Sequence, residues 1–322
     1  MHIQTIGIFG GTGFVGSFLA NELVERGYAL KLFTRSRERA RELWPLPNTR
    51  VVEFNIYDEN AVAGQLADCD AVINLAGILN EKGDNGAGFR RVHTELTRTI
   101  IKACGEADIK RYLHMSALNA DPFGPSYYLR TKGEGENAAM AAHDDGLPTT
   151  VFRPSVIFGP HDDFFNRFAR LLKLSPFVFP LACANARFQP VYVGDVVEAF
   201  IRCLTDRATF GQRYDLGGPE EKTLLEIVRY VAKVTDTHRL VIPLGSRLSK
   251  LQANIRESGP GKPFSRDNLR STTEDSVCRG DNGLATLGIV PTSIAEIVPT
   301  YLGGKYERMR YYNLRMAARR QP

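Results

Sequence analysis

Short apolar runs alternate with segments of helical periodicity through the first half of the chain. The runs predict strands at Thr5–Phe9, Ala29–Thr34, Arg50–Phe54, Ala71–Leu75, Arg111–Met115 and Thr149–Arg153. The periodic segments between them predict helices at Phe14–Glu25, Val92–Cys104 and Tyr127–His143. Strands that alternate with helices form βαβ units, which build a parallel sheet covered by helices on both faces. We therefore expect an α/β protein with a doubly wound parallel sheet.

The regular alternation of predicted strands and helices ends at about Phe158, where prolines become frequent and strands shorten. Helices predicted at Asp195–Thr205 and Leu224–Thr235 are interleaved with these strands. The polar, glycine-containing stretch 246–283 is expected to be a loop-rich surface region. The expected units are a sheet domain of residues 1–157 to which 189–217 contribute, a smaller C-terminal α/β lobe of residues 158–304, and a tail of residues 305–322.

The charge of the chain is concentrated in its last residues. The whole chain has 41 basic and 36 acidic residues, and its net charge is +5. The tail holds one acid, Glu307, and six basic residues: Lys305, Arg308, Arg310, Arg315, Arg319 and Arg320. The rest of the chain has 35 basic and 35 acidic residues. A nucleic-acid-binding domain would carry a basic face on its folded body, so nucleic acid is not expected as a partner.

The chain carries no pattern of a membrane span or of a secretory signal. Its longest apolar stretch, Pro176–Ala184, is interrupted by proline and falls far short of the roughly 20 residues that a spanning helix needs. The N-terminus leads directly into a strand. Five scattered cysteines without a C-x-x-C pair indicate neither a disulfide framework nor a zinc site. We expect a cytoplasmic protein, either free or peripheral on the inner face of a membrane.

A glycine-rich turn follows the first predicted strand and begins the first predicted helix. It reads Gly10, Gly11, Thr12, Gly13, Phe14, Val15, Gly16. Glycine is needed where the chain turns sharply, where the backbone approaches a phosphate, and where a helix packs closely on a strand. The helix N-terminus supplies free N–H groups to a pyrophosphate. In this context the turn predicts dinucleotide binding by a Rossmann-type domain, rather than a turn that only packs tightly.

The end of the second strand indicates which dinucleotide is bound. An NAD-selective site usually has an acid there, but this chain has Arg35 followed by Arg37. A guanidinium can form a bidentate pair with a 2′-phosphate, which favours NADP(H) over NAD(H). The alternative is that these arginines are solvated residues at a helix start, in which case NAD(H) could also serve.

Polar and small residues follow the third and fourth strands, at the sheet edge where open α/β sheets bind ligands. Asn55 could hydrogen-bond the adenine amino group through its amide, and Ile56 lies beside it. Leu75, Ala76 and Gly77 are small or apolar and could line the dinucleotide cleft. Both segments are expected to contact the cofactor.

Several further motifs together carry a resemblance to a known family. They are N74-L-A-G77, Tyr128-L-R-T-Lys132, Arg153-Pro154-S-V-I-F-G-Pro160, and Pro190-V-Y-V-G-Asp195-V-V. With the glycine turn, they make the chain similar to the extended and atypical short-chain dehydrogenase/reductase superfamily. The segments His114–Asp121, Ser126–Glu134 and Leu284–Thr292 are similar to the branch of the nucleotide-binding accessory subunit of respiratory complex I and its bacterial relatives. This implies an NADP(H)-binding domain, cofactor contact near Pro154, and a role tied to the respiratory membrane or quinone metabolism.

The resemblance also implies roles for a possible catalytic triad. Tyr128 and Lys132 lie four residues apart, on one face of a predicted helix. In the superfamily such a lysine binds the nicotinamide ribose and lowers the tyrosine pKa, and the tyrosine exchanges a proton with substrate. The third member is a hydroxyl, which extended enzymes place about two residues beyond Ser116, where this chain has Leu118. Ser116 is the substitute candidate, so nucleotide binding is better supported than catalysis.

Two hypotheses follow from an intact phosphate turn beside an imperfect triad. In the first, the protein is similar to the complex I accessory subunit and its nucleotide mainly stabilises the fold or an assembly. In the second, it is an active NAD(P)H-dependent oxidoreductase or epimerase that uses Tyr128 and Lys132. The tail of residues 305–322 mixes tyrosines and arginines, and could bind an anionic membrane or a respiratory complex, or form a frayed helix. The cluster His161, Asp162, Asp163 has no second histidine at metal-ligand spacing, so no metal is expected.

Overall fold

A computed structural model describes residues 2–81, 83–245 and 265–303. The strands are β1 Thr5–Phe9, β2 Ala29–Thr34, β3 Thr49–Glu53, β4 Ala71–Asn74, β5 Arg111–Met115, β6 Thr149–Pro154, β7 Ile157–Phe158, β8 Val178–Leu181, β9 Arg187–Phe188, β10 Val191–Tyr192, β11 Arg213–Leu216, β12 Lys222–Thr223 and β13 Leu240–Pro243. The helices are α1 Phe14–Glu25, α2 Glu59–Leu66, α3 Ala87–Phe89, α4 Leu96–Glu106, α5 Tyr127–Asp144, α6 Phe165–Leu174, α7 Val193–Thr205, α8 Leu224–Val234, α9 Arg266–Ser271, α10 Gly283–Thr286 and α11 Ile294–Leu302.

Seven strands form one parallel sheet in the order β11-β6-β5-β4-β1-β2-β3. The winding direction reverses between β1 and β4, which are direct neighbours. At such a switch point the connections leave in opposite directions, and a crevice opens beyond the carboxyl ends of the two strands. The expected doubly wound, Rossmann-type α/β fold is confirmed by this topology.

The sheet is covered by helices on both faces because alternate strand residues point to opposite sides. On one face α1 and α7 pack on Ile6, Ile8 and Leu113. On the other face α2, α4 and α5 cover Val72 and Tyr112. These strand side chains are fully or almost fully buried, so apolar burial on both faces holds the carboxyl ends of the strands in a fixed arrangement.

A second hydrophobic core lies outside the main sheet. Helices α6, α8 and α11 and the parallel pair β8 and β13 bury apolar residues such as Phe168, Ile227 and Val298 within it. Helix α8 begins with a capping box, in which Thr223 and Glu226 each accept an N–H of the other. The strand β11 and helix α7, both within residues 189–217, belong to the main sheet and its covering layer. The division of the chain at residue 157 stays a prediction.

The sequence pattern places the six strands of the first half within one residue of their observed bounds. The predicted helix Val92–Cys104 is less regular than expected. Residues Arg90–Glu95 form a π-helical turn before α4. Helix α5 packs closely on this turn, since a Cβ at Gly135 of α5 would lie 2.2 Å from the carbonyl oxygen of His93. Only glycine fits at this point of contact.

The region expected to be a surface loop, 246–283, also differs from its prediction. Residues 246–264 lie outside the described residues. The described part begins with α9, whose Asp267 is only 3% exposed, and residues from Asn268 to Ser276 line the main cleft. In the described part, polar side chains such as Asp267 and Ser271 bond to the sheet domain, rather than being exposed to solvent alone.

Candidate functional site

A cleft of about 630 Å³ opens at the carboxyl ends of the central strands. The structure brings almost every residue predicted for the site into its wall. Those residues are Gly10, Thr12, Gly13, Phe14, Val15, Gly16, Arg35, Ile56, Leu75, Ala76, Gly77, Ser116, Tyr128, Lys132 and Pro154. The predicted residue that does not line this cleft is Asn55. The assigned roles of these residues stay predictions, and their positions follow from the topology.

The glycine turn joins β1 to α1 in a conformation that side chains would disrupt. Gly10 has a φ of +77°, and a Cβ there would lie 2.8 Å from the backbone of Leu75. A Cβ on Gly16 would lie 2.4 Å from the carbonyl oxygen of Gly10. Gly13 caps α1 and has no side chain to occupy the first N–H groups of the helix. The residues that carry these groups, Phe14 and Val15, line the cleft, where an anionic pyrophosphate could accept from them.

The end of β2 presents arginine to the cleft. Arg35 lines both the main cleft and a shallow depression beside it, and has no ion-pair partner among the described residues. Arg39 also lines the cleft. Arg37 lies elsewhere: its guanidinium lies 5.8 Å from the ring centre of Trp44, and its N–H donates to Glu53. Arg37 was expected to lie beside Arg35 at the site. In the structure Arg39, rather than Arg37, lines the cleft together with Arg35.

Asn55 lies in the shallow depression, which it shares with Arg35, Tyr57 and Arg91. Its Oδ1 accepts the backbone N–H of Tyr57 at 3.2 Å. The Arg91 guanidinium lies 4.0 Å from the centre of the Tyr57 ring, so a stacked pair forms one wall. Contact of Asn55 with adenine stays a prediction, since it requires a base that extends from the main cleft into this depression.

The loop after β4 is held by two buried polar side chains. Asn74 Oδ1 accepts the N–H of Ala76 at 3.0 Å, and its Nδ2 donates to Tyr112 and Thr97. His93 Nε2 accepts the N–H of Ile78 at 3.1 Å. The backbone from residue 75 to 78 is therefore fixed against the cleft. Because Nε2 of His93 is an acceptor, its proton lies on Nδ1, which is 3.0 Å from Thr131 Oγ1.

Helix α5 carries Tyr128 and Lys132, and its N-terminus is capped twice. Ser126 Oγ accepts the N–H of Leu129, as an N-cap serine commonly does. The carboxylate of Asp267 accepts the N–H groups of Tyr127 at 2.8 Å and Tyr128 at 3.0 Å. A residue about 140 positions further along the chain therefore fixes the turn that presents Tyr128 to the cleft.

Lys132 is 6% exposed and donates from Nζ to the carbonyl oxygen of Met115 at 2.9 Å. Burial lowers the pKa of its ammonium group to about 8, and the negative charge of Glu136 opposes this shift. Glu136 is itself fully buried and paired with Arg153 and Arg213. This ion network ties α5 to β6 and β11, and so fixes Lys132 relative to the sheet.

Tyr128 packs with its ring perpendicular to that of His93, at 5.5 Å between ring centres. Burial raises the pKa of its hydroxyl to about 12. Removal of the hydroxyl from water causes this shift, and the expectation that Lys132 lowers the Tyr128 pKa stays a prediction. At neutral pH the Tyr128 hydroxyl is protonated, so it can donate a proton to a substrate oxygen.

Ser116 and Leu118 both line the cleft directly after β5. Ser116 Oγ is buried, and it has no hydrogen-bond partner among the described residues. Leu118 is 5% exposed and supplies no polar group where the third triad member was expected. A buried hydroxyl without a partner is energetically unfavourable, so a ligand oxygen that bonds it would be stabilised.

Sequence reasoning missed His93 and Asp267. Both are common polar residues within segments of ordinary helical or loop composition, and neither belongs to a short motif. Their importance arises from contacts distant in sequence: His93 meets the loop after β4, and Asp267 meets the start of α5. No local pattern signals such contacts.

Replacing Asp267 with alanine is expected to loosen the start of α5. The loss of two capping bonds should lower the free energy of unfolding by about 1–2 kcal/mol and weaken dinucleotide binding severalfold. Asp58→Ala is the matched control, because Asp58 caps α2 and does not itself line the cleft. Thermal unfolding and nucleotide titration of both variants check this. Equal nucleotide affinity in the two variants would show that Asp267 does not position the site.

Comparison with known proteins identifies the class. Residues 6–217 match the sequence model of the NAD dependent epimerase/dehydratase family, so the chain belongs to that family. The chain is 26% identical to the mitochondrial NADH-ubiquinone oxidoreductase 40 kDa subunit of Neurospora crassa over 323 residues. This alignment covers 99% of this chain and 84% of that protein. It is 28% identical to NADH dehydrogenase (ubiquinone) 1 alpha subcomplex subunit 9 of Mus musculus, over 89% of this chain and 76% of that protein.

A solved structure shows the same fold. The dTDP-glucose 4,6-dehydratase DesIV of Streptomyces venezuelae, determined with NAD and TYD bound, superposes with a TM-score of 0.74 and 19% sequence identity over 98% of each chain. The two proteins therefore share a fold, and the family match is to a family that is NAD dependent. Within residues 2–81, 83–245 and 265–303, no helix is long and apolar enough to cross a membrane. The same residues contain no cluster of three or more metal-ligating side chains.

Proposed function

We propose that the cleft binds NADP(H) in preference to NAD(H). The observation that carries this proposal is the position of Arg35, at the end of β2, facing the cleft and without an ion-pair partner among the described residues. Arg39 adds a second positive charge to the same wall. A guanidinium here can pair with the 2′-phosphate, which NAD(H) lacks.

Arg35→Ala is expected to weaken NADPH binding about 10- to 100-fold, since a charged hydrogen-bonded pair contributes about 1.5–3 kcal/mol. NADH binding should change little. Arg37→Ala is the control, because Arg37 lies against Trp44 outside the cleft. Fluorescence titration of each variant with both nucleotides checks this. An equal loss for NADPH and NADH would contradict the assigned phosphate contact.

We propose further that the nucleotide mainly stabilises the protein or its association with a respiratory complex. The intact glycine turn and the apolar Leu118 at the triad position support this role. Two relatives along almost the full chain are named as subunits of the NADH-ubiquinone oxidoreductase, which supports a place in or beside such a complex. The expected location is the cytoplasm or the inner face of a membrane.

A second candidate function is that of an active reductase, dehydrogenase or epimerase. It is favoured by the buried hydroxyl of Ser116, which lines the same cleft as Tyr128 and Lys132. The bound nicotinamide would supply hydride transfer. The protein would supply a ribose contact from Lys132, a proton from the Tyr128 hydroxyl, and a hydrogen bond from Ser116 to the substrate oxygen.

An assay of turnover distinguishes the accessory role from the catalytic role. Nucleotide that copurifies with the protein is identified first, and quinones and nucleotide sugars are then offered to the wild type and to Tyr128→Phe. For the accessory role we expect bound NADP(H) and no turnover in either protein. Turnover by the wild type that falls at least a hundredfold in Tyr128→Phe would replace it by the catalytic role.

The basic tail of residues 305–322 lies outside the described residues. Its six basic and several aromatic side chains support attachment to an anionic membrane surface or to an acidic partner. Sedimentation with vesicles of anionic lipid, with and without residues 305–322, tests this attachment. We expect the full chain to bind more tightly, and equal binding by both chains would remove the tail from the proposal.

A further inference from the structure

The part of the cleft that adjoins the second hydrophobic core is walled by aromatic and aliphatic side chains. The ring centre of Phe164 lies 5.3 Å from that of Phe168 and 5.5 Å from that of Phe188, and all three residues line the cleft. Leu118 and Leu224 line it as well and are almost fully buried. The wall is continuous with a packed core, so it is preformed rather than created by a ligand.

The polar side chains in this part of the cleft already have partners within the protein. Ser271 Oγ donates to Ser126 Oγ at 2.8 Å, and Asn119 Nδ2 donates to the carbonyl oxygen of Asp275 at 2.7 Å. The hydroxyl of Thr272 likewise donates to protein atoms. A sugar ring carries several hydroxyls, each of which loses water on binding and needs a new partner. This wall offers a sugar ring few such hydrogen-bond partners.

The charges of this part also disfavour a nucleoside diphosphate. Arg167 and His161 are its basic side chains among the described residues, and Arg167 pairs with Asp163. Glu274 lines the cleft as well and pairs with Arg279, so it adds no positive charge to the wall. A diphosphate carries two negative charges that have to be matched when it leaves water. The described wall supplies no such excess of positive charge.

We propose that this part of the cleft binds a neutral ligand with an extended apolar chain and one oxygen-bearing head group. The inference rests on the proposed function, since the dinucleotide occupies the part of the cleft beside the glycine turn. The head-group oxygen meets the hydroxyls of Tyr128 and Ser116, the latter being buried without a partner among the described residues. The chain lies along Phe164, Phe168 and Phe188.

Calorimetric titration of the NADPH-loaded full chain tests this ligand class. The probes are decylubiquinone, methyl β-ketopalmitate and UDP-glucose, the first two kept below the concentrations at which they aggregate. We expect at least one apolar-chain probe to bind tenfold or more tightly than UDP-glucose. Tighter binding of decylubiquinone would indicate a quinone head group, and tighter binding of methyl β-ketopalmitate would indicate an acyl lipid. UDP-glucose binding as tightly as, or more tightly than, both apolar probes would overturn the proposal.

A pair of variants separates binding in the cleft from adsorption on the surface. Leu79 lines the cleft while 54% exposed, so Leu79→Asp places a charge at the lining of the cleft with little effect on folding. Leu174 is 75% exposed and does not line the cleft, and Leu174→Asp is the matched control. We expect Leu79→Asp to weaken the better apolar probe at least tenfold and Leu174→Asp to leave it unchanged.

The outcomes also separate failure of this inference from failure of the proposed function. If Leu79→Asp and Leu174→Asp bind the apolar probe equally, the probe does not occupy the cleft and the inference is overturned. NADPH affinity is measured in the same samples. If the wild type fails to bind NADPH, the proposed function fails, whatever the probes do.

Discussion

Gly16→Ala is expected to abolish dinucleotide binding. The added methyl carbon would lie 2.4 Å from the carbonyl oxygen of Gly10 and 2.6 Å from the Cα of Gly11, both backbone atoms of the same turn. Since neither can rotate away, the turn has to open, and the N–H groups at the start of α1 are displaced from the pyrophosphate. We expect an affinity loss of at least about a hundredfold, or roughly 3 kcal/mol.

The matched control is Gly64→Ala in α2. A Cβ at Gly64 would meet no atom within 4 Å, and alanine favours a helix over glycine by about 1 kcal/mol. This variant should bind nucleotide as the wild type does and be no less stable. Nucleotide titration and thermal unfolding of both variants are compared. Wild-type affinity in a folded Gly16→Ala protein would contradict the assignment of the turn as the phosphate site.

Lys132→Met is expected to weaken nucleotide binding while stabilising the nucleotide-free protein. Methionine fills a similar volume without a charge. Burial lowers the Lys132 pKa from 10.5 to about 8, so holding this ammonium group in the fold at neutral pH costs on the order of 3 kcal/mol relative to water. Its bond to the Met115 carbonyl recovers a part of that cost.

The lowered pKa of Lys132 also predicts how its contribution to stability changes with pH. Between pH 8 and 10.5 the unfolded chain holds the Lys132 proton while the folded protein has released it. Unfolding therefore takes up a proton in this window, and the stability contributed by Lys132 rises as the pH rises through it. Relative to Lys132→Met, the wild type should be less stable near pH 7 and should gain stability towards pH 10.

Lys102→Met is the control, since Lys102 is an exposed residue of α4 paired with Glu59. It should leave nucleotide affinity unchanged. The measurements are denaturant unfolding between pH 7 and 10 and titration with NADPH at pH 7. A Lys132→Met protein that binds NADPH normally would remove Lys132 from the cofactor site. A stability difference from the wild type that does not vary with pH would contradict its charged, buried state.

Local pattern was sufficient to predict six of the seven strands of the sheet and the glycine turn. Each strand of the first half is a short apolar run between helical segments, and buried parallel strands need little else to be recognised. The glycines Gly10, Gly13 and Gly16 follow a strand and begin a helix, and this context is local too. These parts of the site could therefore be located from neighbouring residues alone.

The remaining parts of the site depend on contacts that are distant along the chain. The carboxylate of Asp267 reaches the start of α5 from a polar stretch that looks like a surface loop, and His93 lies in a π-helical turn that packs closely on Gly135. The Tyr128 pKa depends on burial, which only the assembled fold determines. Sequence spacing shows that Tyr128 and Lys132 share a helix face, but not how much water reaches them.

The central claim is that the cleft beyond the glycine turn binds NADP(H), and one titration tests it most directly. Purified protein, freed of bound nucleotide, is titrated with NADPH and with NADH, and the dissociation constants are compared at the same ionic strength. We predict that NADPH binds at least tenfold more tightly, because Arg35 can pair with the 2′-phosphate that NADH lacks. NADH binding as tightly as NADPH, or more tightly, would contradict this account.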